Sequence, residues 1–276
     1  ANATFVKNKI KNLPATMKEN GYISGSKKWL EGKSIYEFWL RQWHGVDPQT
    51  GDGLYVADVS KYNQGNIGTG DGNITQSQFD EYKKTVVTID GKELTNSYTY
   101  AKYDFSGSSI PDVYGGFNVR VSYKNFDVSM AFQGTIGNDI WNVAKGSLAS
   151  AGRQNALADA YTKAWTKDGD LDAVYPRITN SDSNNNMRGS SFYVENGSYL
   201  RLQNMQIGYT LPSHICQKSK LFSSCRFYVS GQNIFTLTGY SGLDPELGIN
   251  NPLDMGVDTT RYPSSRTFTF GVNLQF

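Results

Sequence analysis

The residue types that do chemistry are sparse in this sequence and badly spaced for catalysis. His44 and His214 are the two histidines, and neither has a Ser or Cys partner in a nucleophile motif. Both read as surface or loop residues. Asp168, Asp170 and Asp172 alternate as Ca²⁺ ligands can, but the string lacks the rest of the liganding pattern and its bidentate Glu. A solvated loop is the simpler reading, and Asp71-Gly72-Asn73 is a turn signal before it is a metal site. Gly68, Gly70 and Gly72 form GTGDG with no following Lys-Ser/Thr, so no phosphate loop is expected. Cys216 and Cys225 have no CxxC or Cys/His metal spacing, and a bridge between them would require the interval to form a turn. No cofactor and no metal is expected. A glycan-cleaving enzyme would need two carboxylates flanking the scissile bond, and no such pair can be nominated. The expectation is a protein that is not an enzyme.

What remains is binding chemistry. Sugars present apolar C–H faces and dense hydroxyls, which call for flat aromatics and planar polar groups. Trp43, Trp165, Tyr175, Arg177, Tyr240 and Asp244 fall in long connections near expected strand ends and are candidate ligand contacts. Tyr114, Asn118 and Arg120 share the polar face of one expected strand and are candidate lining residues.

Composition narrows the class of molecule that would carry such sites. The 276 residues include 27 Lys+Arg against 25 Asp+Glu, a formal charge of +2, which gives little support to a nucleic-acid partner. Charged residues make up 19% and aromatics 13%, with 18 Tyr and 14 Phe, and mean hydropathy is −0.51. Polar but poor in charge, the chain suits β structure with neutral polar faces. No run approaches the ~18 apolar residues of a transmembrane helix, which leaves a membrane β-barrel open. The opening ANATFVKNKIKNLP has neither an initiator Met nor a signal-peptide core, so a processed chain or a piece of a longer one is expected.

Period-two alternation supplies the elements. In RTFTFGVNLQF, Phe268, Phe270, Val272, Leu274 and Phe276 share one face. VYGGFNVRVSY sets Val113, Phe117, Val119, Val121 and Tyr123 against Tyr114, Asn118 and Arg120. After Lys124-Asn125 the alternation resumes with Phe126, Val128, Met130 and Phe132, which predicts a hairpin with a very short turn. SYLRLQNMQIGYTLP changes phase at Gln203-Asn204, predicting a β-bulge, and CRFYVSGQNIFTL is a strand interrupted at Gly231 and Asn233. SIYEFWLRQW alternates Tyr36, Phe38 and Leu40 against Glu37, Trp39 and Arg41. Gly115-Gly116 predicts close backbone approach or curvature.

The connections are unequal. The 124–125 turn is minimal and the 212–224 link moderate, while 44–110, 138–197 and 239–264 are long and rich in Gly, Asn, Asp and Ser. Long loops in compact domains are usually functional. RQNALADAYTKAW predicts a short helix with Leu157, Tyr161, Ala164 and Trp165 inward, and NSDSNNN reads as a flexible tip. Counting strands back from the C-terminus puts the short connections at one end and the three long ones at the other. That is the asymmetry of outer-membrane barrels.

At this point the sequence resembles the SusC/RagA group of TonB-dependent outer-membrane transporters of Bacteroidetes. The stretches that carry the resemblance are GVDPQTGDGLYVAD, SSIPDVYGGFNVRVSYKNFDVSMAFQGTIGNDIWN, the Trp165-to-YPR spacing, ENGSYLRLQNMQIGYTLP, RFYVSGQNIFTLTGYSGLDPE and the strand ending in Phe276. Their order looks like the C-terminal half of that family, and nothing resembles its plug domain or TonB box. The resemblance implies that residues 1–276 form the C-terminal part of an all-β, antiparallel transmembrane barrel of ~22 strands, with long extracellular loops containing short helices. It further implies a place in the outer membrane and active import of a nutrient, glycan or oligosaccharide favoured over peptide. The implied partners are a SusD-like surface lipoprotein, TonB through the missing N-terminal region, the N-terminal half of the barrel, and outer-membrane lipid. Phe276 on the last strand then looks like part of an outer-membrane sorting signal, together with Phe268, Phe270, Val272 and Leu274. The alternative is a soluble β-sandwich carbohydrate-binding module, whose apolar faces would meet across its core.

Overall fold

Alternation at the C-terminus produces a real strand, Thr267–Gln275, and it forms one edge of a six-stranded antiparallel sheet. The structure, a computed structural model, describes residues 1–149, 155–179, 188–219, 221–247 and 254–276. The sheet runs in chain order through β1 (Asn2–Phe5), β2 (Val113–Tyr123), β3 (Phe126–Ile136), β4 (Tyr199–Thr210), β5 (Ser224–Thr238) and β6 (Thr267–Gln275). Among the described residues strand makes up 43% and helix 16%, and no helix is long and apolar enough to cross a membrane.

Register turns the alternation of single strands into rows. Val121 pairs with Val128, Val128 with Ile207, Ile207 with Val229, and Val229 with Phe270. One residue along, Arg120, Ser129, Gln206, Ser230 and Thr269 form the matching row on the other face. The sheet therefore has one apolar and one polar side. Near the short connections, Tyr123, Phe126, Tyr209, Phe227 and Val272 make a mostly aromatic row on the apolar side. The apolar side is open to the surroundings: Val121 is 56% exposed and Phe270 79%.

Local chemistry keeps that register. The β2–β3 turn is the expected two-residue connection, with Lys124 at φ +53°. Asn125 Nδ2 donates to the Thr210 carbonyl at 2.8 Å, which ties the turn to the end of β4. The bulge falls where the phase change predicted it, between Leu202 and Asn204 of β4, and Asn233 opposite takes φ +52°. Without it, Leu200 and Leu202 would lie on the opposite side from Met205, Ile207 and Tyr209. Gly115 and Gly116 are positions of close approach: a Cβ on either would overlap a neighbouring strand's backbone, at Asn2 and at Phe132 respectively.

The connections differ from expectation in one respect. Residues 44–110 are largely folded and do not form one long loop. Strands Trp43–Val46, Gly53–Val56, Lys92–Thr95 and Val86–Ile89 form a four-stranded sheet. Beside it, helix Gln76–Thr85 starts at a capping box made by Thr75 and Gln78. Tyr62, Tyr82 and Tyr100 pack with Ile74 and Ala57 as the core of this unit. A second four-stranded sheet joins Tyr22–Ser24, Lys27–Trp29, Glu37–Arg41 and Tyr103–Ser108. The SIYEFWLRQW alternation lies here, with Phe38 and Leu40 buried as its phase required.

One other expectation needs correction, and the open question of the cysteines is answered. The helix near residue 160 is short, Ala158–Thr162, and Tyr161 points outward at 71% exposure while Ala160 and Ala164 are buried. Lys163 leaves the helical conformation at φ −112°, so the inward stripe cannot repeat. Cys216 and Cys225 are both buried free thiols, so no bridge joins them. The NSDSNNN segment lies outside the described residues.

Candidate functional site

The polar side of the sheet carries the site geometry. At the end of the sheet that bears the long connections, Tyr114, Asn118, Gln133, Tyr199, Gln203 and Glu246 border an open hollow of about 490 Å³. Tyr114 is 46% exposed and Asn118 is exposed, so their polar groups face the space. Period two places these side chains on one side, because Tyr114 pairs with Thr135 and Asn118 with Ala131 in the polar phase.

A strap from the connection after β5 closes one border of the hollow. Arg201, projecting from the polar side of β4, donates to Asp244, to Glu246 Oε2 at 2.6 Å and to Thr236 Oγ1 at 2.9 Å. Glu246 Oε1 accepts from Gln133 Nε2 at 3.1 Å. Asp244 also accepts the backbone N–H groups of Glu246 and Ser264, at 2.9 and 3.1 Å. Desolvation raises the Asp244 carboxyl, but those N–H groups and Arg201 outweigh it and leave its pKa below the usual range. The strap therefore presents Glu246 to the hollow as an anchored, partly exposed carboxylate. Arg120 lies further along β2 on the same side, opposite Ser129.

The other expected site residues fall in two further places. Trp43, Trp165, Tyr175 and Arg177 come together within the connections. The Trp43 ring meets Tyr55 and Phe192, each at 5.2 Å, and Tyr175 meets Phe192 edge-on at 5.4 Å. Trp165 Nε1 donates to the Pro48 carbonyl at 2.9 Å, and its ring lies over Gly51, whose φ of +74° and missing Cβ make room for it. Arg177 Nε donates to Asp52 Oδ1 at 3.0 Å. Tyr175 retains 4% of its surface and serves as packing, whereas Trp43 and Trp165 are half-buried and Arg177 is exposed. Tyr240 is also buried, and its hydroxyl donates to Asp258 Oδ2 at 2.5 Å.

Gln133, Tyr199, Gln203, Glu246 and Arg201 were not singled out by sequence reasoning. The alternation of β3 and β4 places Gln133, Tyr199 and Arg201 in the polar phase, so part of the signal was there. Nothing local marks Glu246. Among the described residues no group of three or more His, Cys, Asp or Glu could hold a metal ion. The arrangement offers reversible hydrogen bonding and stacking.

No protein-family model matches the chain. TonB-dependent receptor P3 of Formosa agariphila is 39% identical over 180 residues, which is 62% of this chain and 17% of the receptor. TonB-dependent receptor P39 of the same organism is 32% identical over 175 residues, and TonB-dependent receptor SusC of Bacteroides thetaiotaomicron 28% over 174. The chain thus spans about 17% of the length of the first of these relatives. In fold, the RagAB peptide transporter matches 97% of this chain with a TM-score of 0.72 at 22% identity, using 26% of its own chain. A closed-closed state of the RagAB peptide importer matches 99% with a TM-score of 0.65. In sequence over 62% of its length this chain is a relative of the TonB-dependent receptors, SusC-type members included, and it shares its fold with part of RagAB.

Proposed function

We propose that the chain supplies C-terminal strands and extracellular connections to a SusC-type, TonB-dependent outer-membrane importer. The observation that carries this reading is the pair of rows: a continuous exposed apolar row across β2 to β6 and a continuous polar row behind it. The eleven residues of β2 extend about 34 Å, or about 26 Å at a tilt near 40°, the height of the lipid-facing band of such barrels. The aromatic row at the short-connection end sits where a membrane girdle belongs. A soluble sandwich would instead bury the apolar rows against a second sheet.

In this reading the apolar side meets outer-membrane lipid and the polar side lines the lumen. The rest of a barrel of about 22 strands pairs with the sheet edges at β1 and β6, and β6 with Phe276 serves as the sorting strand. A SusD-like surface lipoprotein covers the long connections, and TonB acts through a plug carried by the N-terminal region. Import is binding and release with no covalent step. A glycan or oligosaccharide is the favoured cargo, because the hollow combines exposed Tyr114 with Asn118, Gln133 and an anchored carboxylate. Peptide is the second reading, favoured by the peptide cargo of the fold relative RagAB.

The test is uptake of labelled oligosaccharide and labelled peptide by cells carrying the full-length protein, with and without TonB. TonB-dependent uptake of the oligosaccharide supports the reading. A protein that stays monomeric in water without detergent refutes the membrane assignment.

A further inference from the structure

A strip of cations interleaved with aromatic rings crosses the outer side of the Glu37–Arg41 and Tyr103–Ser108 strands, away from the hollow's residues. Trp39 and Arg41 share this side because the alternate residues Phe38 and Leu40 are buried. Arg41 pairs with Tyr103 and Trp39 with Phe105 across the two strands. The Arg41 guanidinium lies 4.5 Å from the Tyr103 centroid and 4.7 Å from that of Tyr98. Arg188 lies 5.3 Å from the same Tyr98 ring. Toward the other end, the Trp39 and Tyr103 rings are nearly parallel, 9° apart with centroids at 6.3 Å, and Lys28 Nζ stands 4.0 Å from the Trp39 ring.

Among the described residues, no carboxylate compensates the charge of this strip. Arg41 donates to the carbonyls of Thr99 and Ala101, and among the described residues neither Arg41, Arg188 nor Lys28 forms an ion pair. Ring faces hold a cation but leave its charge in place. Both guanidiniums address one ring, which bounds their separation at about 10 Å. The arrangement is also positioned: Tyr98 Oη donates to the Gly189 carbonyl at 2.8 Å, and Gly189 sits against the Trp141 ring, where a Cβ would clash. Arg188, next in chain to Gly189, is thereby brought to Tyr98.

We propose that this strip binds an acidic saccharide. Carboxylate or sulfate groups sit on Arg41 and Arg188, the exposed ring of Tyr103 takes an apolar sugar face, and Lys28 meets a further acidic group along the chain. Two arginines with no carboxylate partner among the described residues supply charge complementarity to a polyanion, and the interleaved rings favour a saccharide over a purely ionic partner. The choice of saccharide over peptide rests on the import reading given above; the positive strip itself does not.

The test is direct binding of an oligogalacturonate hexamer to the detergent-solubilised full-length protein, beside a neutral malto-hexaose and an oligo-glutamate peptide. Expected are binding of the uronate alone, weakening as salt rises from about 50 to about 500 mM, and a loss of at least about tenfold in Arg188→Gln. Arg188 is exposed, so that variant keeps the fold; Arg41→Gln is the second variant, with heat-modifiable gel migration as the folding control. Equal binding of malto-hexaose, or unchanged affinity in both variants, overturns the proposal. Equal binding of oligo-glutamate overturns the saccharide assignment in favour of an acidic peptide. Uronate binding without TonB-dependent uptake would fail the import reading alone, and uptake of a neutral glycan without uronate binding would fail this site alone.

Discussion

Arg201 and Asp244 are joined as an ion pair on the polar side of the sheet, one from near the start of a long strand and the other from the connection after the next strand. The Arg201 side chain is 3% exposed, and a third partner, Glu246, completes its set of carboxylates. Removing one member of a buried pair leaves an uncompensated charge, which costs about 3–5 kcal/mol. Arg201→Ala strands two acids, whereas Glu246→Gln removes only the partly exposed member. The expected outcome in thermal unfolding of the solubilised protein is a large drop in midpoint for Arg201→Ala and a small one for Glu246→Gln. Equal midpoints would show that the strap is held by other contacts.

Lys27 carries a pH dependence of definite sign. Its ammonium is fully buried and donates to the Tyr36 carbonyl at 3.2 Å, Ser109 Oγ at 2.6 Å and the Met255 carbonyl at 2.9 Å. Burial lowers its pKa to about 7, with the charge of Asp254 opposing the shift. The unfolded lysine titrates near 10.4, so between pH ~7 and ~10.4 the unfolded chain binds more protons and stability rises with pH. Below pH ~7 both states are protonated and the penalty is constant. Melting curves across that window should climb in the wild type and flatten in Lys27→Met. A wild-type slope no steeper than that of the variant would mean that the amine stays charged in the fold.

Met205 and Gln206 are adjacent in sequence and lie on opposite sides of β4. Met205 belongs to the row Val119, Met130, Met205, Gly231 and Phe268, near the middle of the apolar side. An arginine on the lipid face near the bilayer midplane costs about 2–4 kcal/mol. Met205→Arg should therefore impair folding into lipid vesicles by that amount, while Gln206→Arg is nearly neutral. Equal effects of the two would remove the distinction between a lipid side and a lumen side.

The buried thiols give a simpler check. Cys216 and Cys225 are unbridged, and each has under a tenth of its surface accessible. Reductant should leave the unfolding midpoint unchanged, and a maleimide reagent should label both residues only after denaturation. Mass spectrometry of the labelled protein reads this directly, and a reductant-dependent midpoint would contradict the free-thiol structure.

Strand faces were legible because period two is a local property. Phe268, Phe270, Val272 and Leu274 announce their side without knowledge of any partner strand. Even the bulge at Gln203-Asn204 was visible, since it shifts the phase of the pattern. The 44–110 region was not legible, because its strands Trp43–Val46 and Gly53–Val56 are four residues each and pair across irregular links. Four residues give too little alternation to stand out from a loop. The Arg201 strap was hidden for another reason. Its partners lie more than forty residues away, and nothing in the string LDPE says which arginine it meets. Lys27 likewise looks no different from Lys28 until the fold buries one and leaves the other over Trp39.

The same contrast separates the lining candidates of one strand from the candidates in the long connections. Tyr114 and Asn118 face the hollow and can lose their side chains without leaving a hole in a core. Tyr175 is buried against Phe192, and the Trp165 ring packs on Gly51. Truncating a buried aromatic costs about 3–5 kcal/mol, while losing one ligand hydrogen bond costs about 1 kcal/mol, or roughly fivefold in affinity. Tyr114→Ala and Asn118→Ala should therefore weaken cargo binding with unchanged melting. Tyr175→Ala should lower the melting temperature, with cargo affinity of the folded fraction unchanged. Calorimetric titration with the proposed oligosaccharide cargo, run beside thermal unfolding on each variant, distinguishes the two classes. If Tyr175→Ala alone abolished binding at unchanged stability, the site would lie by the hairpin of Trp43–Val46 and Gly53–Val56 and the hollow on the polar side would be a lining only.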